Sequence, residues 1–418
     1  PMDDPCMPHV RVAGRPAGPT GPADSHAGAA TTLVVTLQDR HTGFEVDLIY
    51  TVLHRHDAIV RSTRFRNSSR PGKGDGEDGV VSLSRGMSMS LDLECEAGGY
   101  YLTHLAGSWA RERHVKTIKL QQGCFSFGST RGTSSHAHNP FVVLTRGQEP
   151  AEETGMTFGF GLVYSGNHVI EAHQNEVGRV RLNIGINPDT FSWNLGRGET
   201  FQTPECVCVC SAAGSGGMSR IFHDVIREHI LPPNWARAPP PPIMINSWEA
   251  QYFDVSHDSI VQMAVDAKRL GIEMVVLDDG WFGERHSDTT SLGDWTPNTT
   301  KFPLGIRGVA HELDSMGMKM GLWFEPEMVS AKSELYKKHP DWCLHVPGRA
   351  RQTGRNQLVL DMGRQDVCDY LYDAISNILS TAKISYVKWD MNRYLTEVFS
   401  ARVSSRDQGR VAHRFVTG

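Results

Sequence analysis

The chain has 418 residues, 39% hydrophobic and 21% charged, which is an ordinary globular composition with room for two or three domains. Its formal net charge of -5 and lack of a basic run argue against a nucleic-acid partner. No stretch approaches the roughly 18 apolar residues of a membrane-spanning helix, so no membrane partner is expected.

Residues 1–30 are rich in Pro, Gly and Ala and are expected to be poorly ordered. They contain no charged-then-apolar leader pattern. The first residue is proline, so the native start is expected to be missing and secretion stays open. From Thr31 the texture changes. Phe44, Val46, Leu48, Tyr50 and Val52 alternate with more polar neighbours, the pattern of a half-buried strand. A turn at 39–43 makes 31–54 a hairpin, and another strand follows at 58–66. The glycine-rich 67–79 reads as an inserted loop. Short strands continue at 80–84, 88–93, 141–144, 157–164, 180–184 and 206–210. This density of strands predicts a large antiparallel β-sandwich over 31–230.

The eight cysteines form no disulfide framework, which favours an intracellular setting. Cys206, Cys208 and Cys210 alternate and read as one face of a strand rather than a metal site. His136 and His138 read as packing or hydrogen-bonding residues, because no third ligand stands near them in the sequence. No metal or other cofactor is expected.

A short helix is predicted at 220–230. The proline-rich 231–243 cannot continue a helix or a ladder and marks a linker. Beyond it, over 244–418, strands and helices alternate. Strands are predicted at 243–248, 274–277, 319–324 and 384–389, with a short one at 358–360. Helices are predicted at 258–270, 306–316, 330–338 and 367–382. Repeated β-α units imply a parallel sheet, and polar residues gather at the C-terminal strand ends, where α/β barrels place their chemistry. The strands present amount to about half of a (β/α)8 TIM barrel.

Six carboxylates fall at those strand ends: Asp278, Asp279, Glu325, Glu327, Asp361 and Asp390. Trp248, Trp281, Trp295, Trp323 and Trp389 accompany them. Flat rings suit the C–H face of a sugar, and carboxylates suit its hydroxyls. Two carboxyl groups astride a glycosidic bond can hydrolyse it, but spacing alone does not assign roles among the six. In YVKWDMNR (386–393), Lys388, Asp390 and Asn392 share one face of an extended strand.

Several stretches make the chain resemble the α-galactosidases of glycoside hydrolase family 36. They are INSWEAQYFD (245–254), VVLDDGWFG (275–283), LGDWTPNTTKFPLG (292–305), MGLWFEPEMVS (320–330), HPDW (339–342), QLVLD (357–361) and VKWDMNR (387–393). In the first domain they are GSWARER (107–113), SSHAHNPF (134–141), GFGLVYSGNH (159–168) and GINPDTFSW (185–193). The resemblance implies an N-terminal β-supersandwich followed by the first half of the barrel. It implies a retaining, exo-acting enzyme that releases terminal α-galactose from melibiose and raffinose-type oligosaccharides. Asp390 would be the nucleophile. Asp278 and Asp279 would bind galactose hydroxyls, with one of them reaching inward as the strand ends. Lys388 would bind a hydroxyl and hold Asp390 ionised, Trp323 would line the sugar pocket, Arg355 would reach a hydroxyl, and Asn392 would share the face of Asp390. Glu325 and Glu327 would support the site. The family's acid/base aspartate is expected beyond Gly418, so the 418 residues alone are expected to have little activity and to expose apolar strands. The family's homotetramer is expected of a full-length protein. Transglycosylation, α-N-acetylgalactosaminide specificity and a non-catalytic sugar-binding role are the alternatives.

Overall fold

The computed structural model describes residues 9–15, 30–69, 79–232, 235 and 238–418. The chain divides into two compact units, Pro1–Ala238 and Pro239–Gly418.

The first unit is built around two large antiparallel sheets, with Val81–Leu83 and Trp193–Leu195 forming a further two-stranded ladder. In one, the strands Ala30–Gln38, Phe44–Leu53 and Ala58–Asn67 run as a meander. The sheet continues through Glu205–Ser211, Thr157–Val163, His138–Arg146, Tyr100–Ser108 and Arg111–Lys119. The other sheet orders Met87–Leu93, Val180–Ile186, His168–Gln174 and Gly123–Gly128. Alternate residues of both sheets close one core. Leu102, Leu144 and Phe160 come from the larger sheet, and Ile170, Leu182 and Ile184 from the smaller. Such face-to-face packing makes a β-sandwich. Within the stretch 1–30, His9–Arg15 is a strand paired antiparallel with Ala30–Gln38. This differs from the expected lack of structure: a partner strand supplies the ladder that the sequence pattern does not announce. The remainder of 1–30 and most of the expected insertion at 67–79 lie outside the described residues.

The helix expected at 220–230 starts earlier, at Gly214, runs to Val225, and continues as a π-helical turn Ile226–Ile230. Glycines hide its first turn from a pattern reading. They are needed there, because a Cβ at Gly214 would come 2.5 Å from the Ala151 carbonyl oxygen.

The second unit holds four parallel strands in chain order: Met244–Asn246, Met274–Leu277, Lys319–Phe324 and Tyr386–Trp389. Helices His257–Arg269, Gly305–Ser315 and Gln365–Thr381 pack their apolar faces on the sheet, through Ile260, Ala264, Val309, Leu313, Leu371 and Ile375. Ser256 and Ser259 form a capping box that starts the first of them. The strand Met274–Leu277 is buried at every position, as a sheet covered on both faces requires. The short strand, Gln357–Val359, is not part of this sheet. It pairs antiparallel with Met328–Ser330, so the segment expected to be wholly helical at 330–338 begins as a strand end and turns helical only at Glu334–Lys338. No helix among the described residues is long and apolar enough to cross a membrane.

Candidate active site

The strand-end residues are brought together by parallel register. Leu277 lies opposite Leu322, and Trp323 lies opposite Lys388. Parallel pairing therefore sets 278–279, 325 and 390 at neighbouring strand ends on one edge of the sheet.

Asp390 follows the last residue of its strand, and its backbone N–H still bonds the Phe324 carbonyl at 2.8 Å. Its carboxylate accepts three hydrogen bonds. Trp323 Nε1 donates to Oδ2 at 3.1 Å, Asn392 Nδ2 donates to Oδ2 at 2.7 Å, and the Met391 backbone N–H donates to Oδ1 at 3.0 Å. Donors aimed at a carboxylate fix its orientation. Asn392 is itself held, because its Oδ1 accepts from Arg355 Nη1 at 3.2 Å. Arg355 has φ +49°, a left-handed conformation that an arginine adopts only when its surroundings impose it.

Asp278 makes a separate polar pair. Its Oδ2 accepts from Lys388 Nζ at 2.7 Å and from Asn246 Nδ2 at 2.6 Å. The Asp278 side chain is only 3% exposed and that of Lys388 34%. The direct ion-pair partner of Lys388 is therefore Asp278, not Asp390 as expected. The adjacent strand end offers Lys388 the nearer carboxylate.

Asp279 turns the other way. Arg285 grips it bidentately, Nε to Oδ1 at 2.9 Å and Nη2 to Oδ2 at 2.8 Å. The side chains of both are under 10% exposed, and the guanidinium also donates to the Thr290 carbonyl at 2.7 Å. Burial pushes the Asp279 carboxyl up from its ordinary range, and Arg285 opposes that. The first partner of Asp279 is thus internal. Gly280 follows at φ +109°, where a Cβ would come 3.2 Å from the Phe253 Cα, so the tight exit after the two aspartates needs glycine. Lys301 pins this exit by donating to the carbonyls of Phe253, Gly280 and Arg285.

Trp323 was expected on the pocket wall. Its ring is 1% exposed and lies parallel to Phe282 within a cluster that includes Trp295, so what it presents to Asp390 is its N–H edge. Glu325 sits beneath the loop that follows Asp390. Its Oε1 accepts from the Asn392 backbone N–H at 2.6 Å and its Oε2 from Gln357 Nε2 at 2.9 Å. Burial pushes its carboxyl up to about 7, with Asp390 and Asp279 adding repulsion. Glu327 accepts from Trp389 Nε1 at 2.8 Å and is raised by burial as well. Asp361, the remaining strand-end carboxylate, is turned toward Ser400 by the antiparallel pair and stands apart from these contacts.

Three contributors escaped the sequence reading. Asn246 ends the first strand, a position where a polar residue could have been noticed. Arg285 lies in a loop with no periodic signal, and Gln357 reads as an ordinary strand residue.

Two expectations follow. Trp323→Phe removes one donor to Asp390 but keeps most of the ring packing. A hydrogen bond to a charged group is worth about 1.5–3 kcal/mol, so in an active protein carrying these residues kcat/KM for a reaction at Asp390 should fall roughly 10–100-fold. An unchanged kcat/KM would remove this bond from the account. The second concerns Glu325, whose carboxyl is higher in the folded chain than its ordinary value of 4.5. The folded state keeps the proton that the unfolded state releases, so this group's contribution to stability is full below 4.5. It declines as pH rises from 4.5 through about 7, and is level above that. In Glu325→Gln that decline is absent. The Tm difference between variant and parent should therefore move in the variant's favour across this window, and a pH-independent difference would contradict it.

Comparisons with known proteins place these contacts in context. The sequence profile "Melibiase" matches residues 200–418, and that of the "Glycosyl hydrolase family 36 N-terminal domain" matches 6–196. Alpha-galactosidase AgaA of Geobacillus stearothermophilus is 47% identical over 393 residues, covering 94% of this chain and 52% of its own length. Alpha-galactosidase Mel36A of Lactobacillus acidophilus is 42% identical over 389 residues, covering 93% and 52%. The chain thus spans about half the length of the curated relatives it matches. The crystal structure of the Geobacillus enzyme superposes with a TM-score of 0.90 at 45% identity, covering 98% of this chain and 56% of that one. A variant of that enzyme has been solved in complex with raffinose, and another with stachyose.

Proposed function

From the premise that the chain belongs to glycoside hydrolase family 36, with its sheet-rich N-terminal domain followed by the catalytic one, we propose that it carries the nucleophile side of a retaining, exo-acting α-galactosidase. The observation that carries this reading is the setting of Asp390: a carboxylate at a strand end, oriented by Trp323, Asn392 and the Met391 N–H, and next in the sheet to the Asp278–Lys388 pair.

In the proposed mechanism a terminal α-galactosyl residue enters with its anomeric carbon toward Asp390. The carboxylate attacks from the β face, the glycosidic C–O bond breaks, and a covalent β-galactosyl ester forms. Water then attacks that carbon and releases galactose with its α configuration retained. Asp278 and Lys388 form a charged, directional pair suited to sugar hydroxyls; Asp279, Arg355 and Asn392 have the same role in the proposal. Asp279 would use the lone pairs that Arg285 leaves available. The leaving-group oxygen must be protonated by a second carboxyl group about 5–5.5 Å from the nucleophile. Glu325 has an acid's pKa of about 7 but not its access: it is 1% exposed and both its oxygens accept bonds from the protein. It is therefore not assigned that role.

The substrates proposed are melibiose and the raffinose series, in line with what the related structures hold. Assembly as a homotetramer belongs to the same reading and would register as a tetramer's mass in light scattering. Proton NMR of the first-formed sugar tests the mechanism in an active protein containing these residues. α-Galactose appearing before mutarotation is expected, and β-galactose appearing first would overturn retention.

A further inference from the structure

In the sheet-rich unit, three metal-ligating side chains meet on the surface. His56 lies in the tight turn between strands Phe44–Leu53 and Ala58–Asn67, where its N–H bonds the Leu53 carbonyl and its carbonyl accepts from the Ala58 N–H. Glu228 and His229 are consecutive residues of the π-helical turn Ile226–Ile230, which closes with the Leu231 N–H on the Ile226 carbonyl. This wider turn sets neighbouring side chains at a smaller angle than an α-helix would, and such turns are frequent where a helix serves a site. One donor atom from each of the three residues lies within 4.8 Å of the other two. His56 Nε2 is 3.1 Å from Glu228 Oε2, and the His56 and His229 rings meet edge to face with centroids 5.5 Å apart. Ligand atoms about 2.0–2.1 Å from a tetrahedral zinc ion stand roughly 3.3 Å from one another, close to the 3.1 Å between His56 Nε2 and Glu228 Oε2.

We propose that His56, Glu228 and His229 bind one divalent transition-metal ion of the zinc class, with its fourth position open to water. Two imidazoles and one carboxylate favour zinc, nickel or copper over calcium and magnesium, which take oxygen ligands. The His56 side chain is 9% exposed and that of Glu228 is 43% exposed, so one ligand is held by packing while the other can adjust. The ion would clip the strand turn to the helical turn that precedes the proline-rich 231–243. The imidazoles must be neutral to bind, so affinity should weaken as pH falls.

Cobalt(II) titration followed by visible absorption tests this in the 418-residue chain. One equivalent is expected to give a d–d spectrum of nitrogen and oxygen ligation, displaced by one equivalent of zinc. A thiolate charge-transfer band would instead place the ion on a cysteine such as the exposed Cys95 or Cys124 and overturn the proposal. Glu228→Gln and His229→Ala change exposed side chains and should leave the far-UV circular dichroism unchanged. Each should weaken zinc binding by about 100-fold, at or beyond what loss of an outer-shell partner costs. Binding equal to the parent's in both variants, or no stoichiometric cobalt binding at all, would show that the cluster is only a His56–Glu228 ion pair.

Discussion

Asp390→Ala, in an active protein carrying these residues, is expected to lower kcat on a nitrophenyl α-galactoside by about 10⁵-fold or more while leaving Tm almost unchanged. Removal of a covalent nucleophile ranks among the costliest single changes in an active site, on the order of 10⁶-fold where it has been measured in a hydrolase. The fold should tolerate it. Asp390 is only half-buried and lies just past its strand, and the donors released, Trp323 Nε1 and Asn392 Nδ2, can turn to water in the space left behind. That space also provides a positive test. Azide added to the variant should occupy the position of the lost carboxylate, attack from the same face and yield β-galactosyl azide. Restored turnover with α-galactosyl azide as product, or a kcat within tenfold of the parent's, would remove Asp390 as nucleophile.

Arg285→Met is expected to have the largest effect on stability. Its guanidinium is buried, pairs with both oxygens of Asp279 and ties the loop back through the Thr290 carbonyl. It also lies 5.3 Å from the Phe253 ring centroid, so its flat face is packed as well. Methionine fills much of the volume but leaves Asp279 as an uncompensated buried carboxylate, a loss of about 3–5 kcal/mol. That corresponds to a Tm lower by roughly 10 °C. The double variant Asp279→Asn, Arg285→Met should lose much less than the sum of the two single changes, because the charge is then gone with its partner. A single-variant Tm within 2 °C of the parent's would show that the pair contributes little.

The barrel-like unit was legible because its strands are continuous apolar runs and its helices have regular apolar faces. The strands 274–277 and 319–324 were read to the residue, three helices drifted by one or two positions at their ends, as caps and frayed turns do, and the helix expected from 330 begins four residues later at Glu334. The sandwich was legible as a class but not strand by strand. Tyr100–Ser108, Arg111–Lys119, Gly123–Gly128 and His168–Gln174 were all missed; Arg111–Lys119 is almost wholly exposed and Gly123–Gly128 is short and glycine-bounded. The meeting of Asp390 and Asn392 followed from strand periodicity. Which partners Lys388 and Asp279 would choose did not. Lys388 takes Asp278 and Asp279 takes Arg285, pairings made between elements 110 and 6 residues apart in the chain, and periodicity says nothing about contacts between strands or across loops. The edge-on role of Trp323 was equally hidden, since a sequence identifies an aromatic side chain but not which edge it presents.

The role of Asp390 is tested most directly by trapping the intermediate. An active protein containing these residues, treated with a fluorinated α-galactosyl fluoride that is released slowly, would be digested and its labelled peptide sequenced by mass spectrometry. The sugar should be found as an ester on Asp390 within the 386–393 segment; a label on Asp278, Asp279 or Glu325, or inactivation with no covalent label, would contradict the assignment.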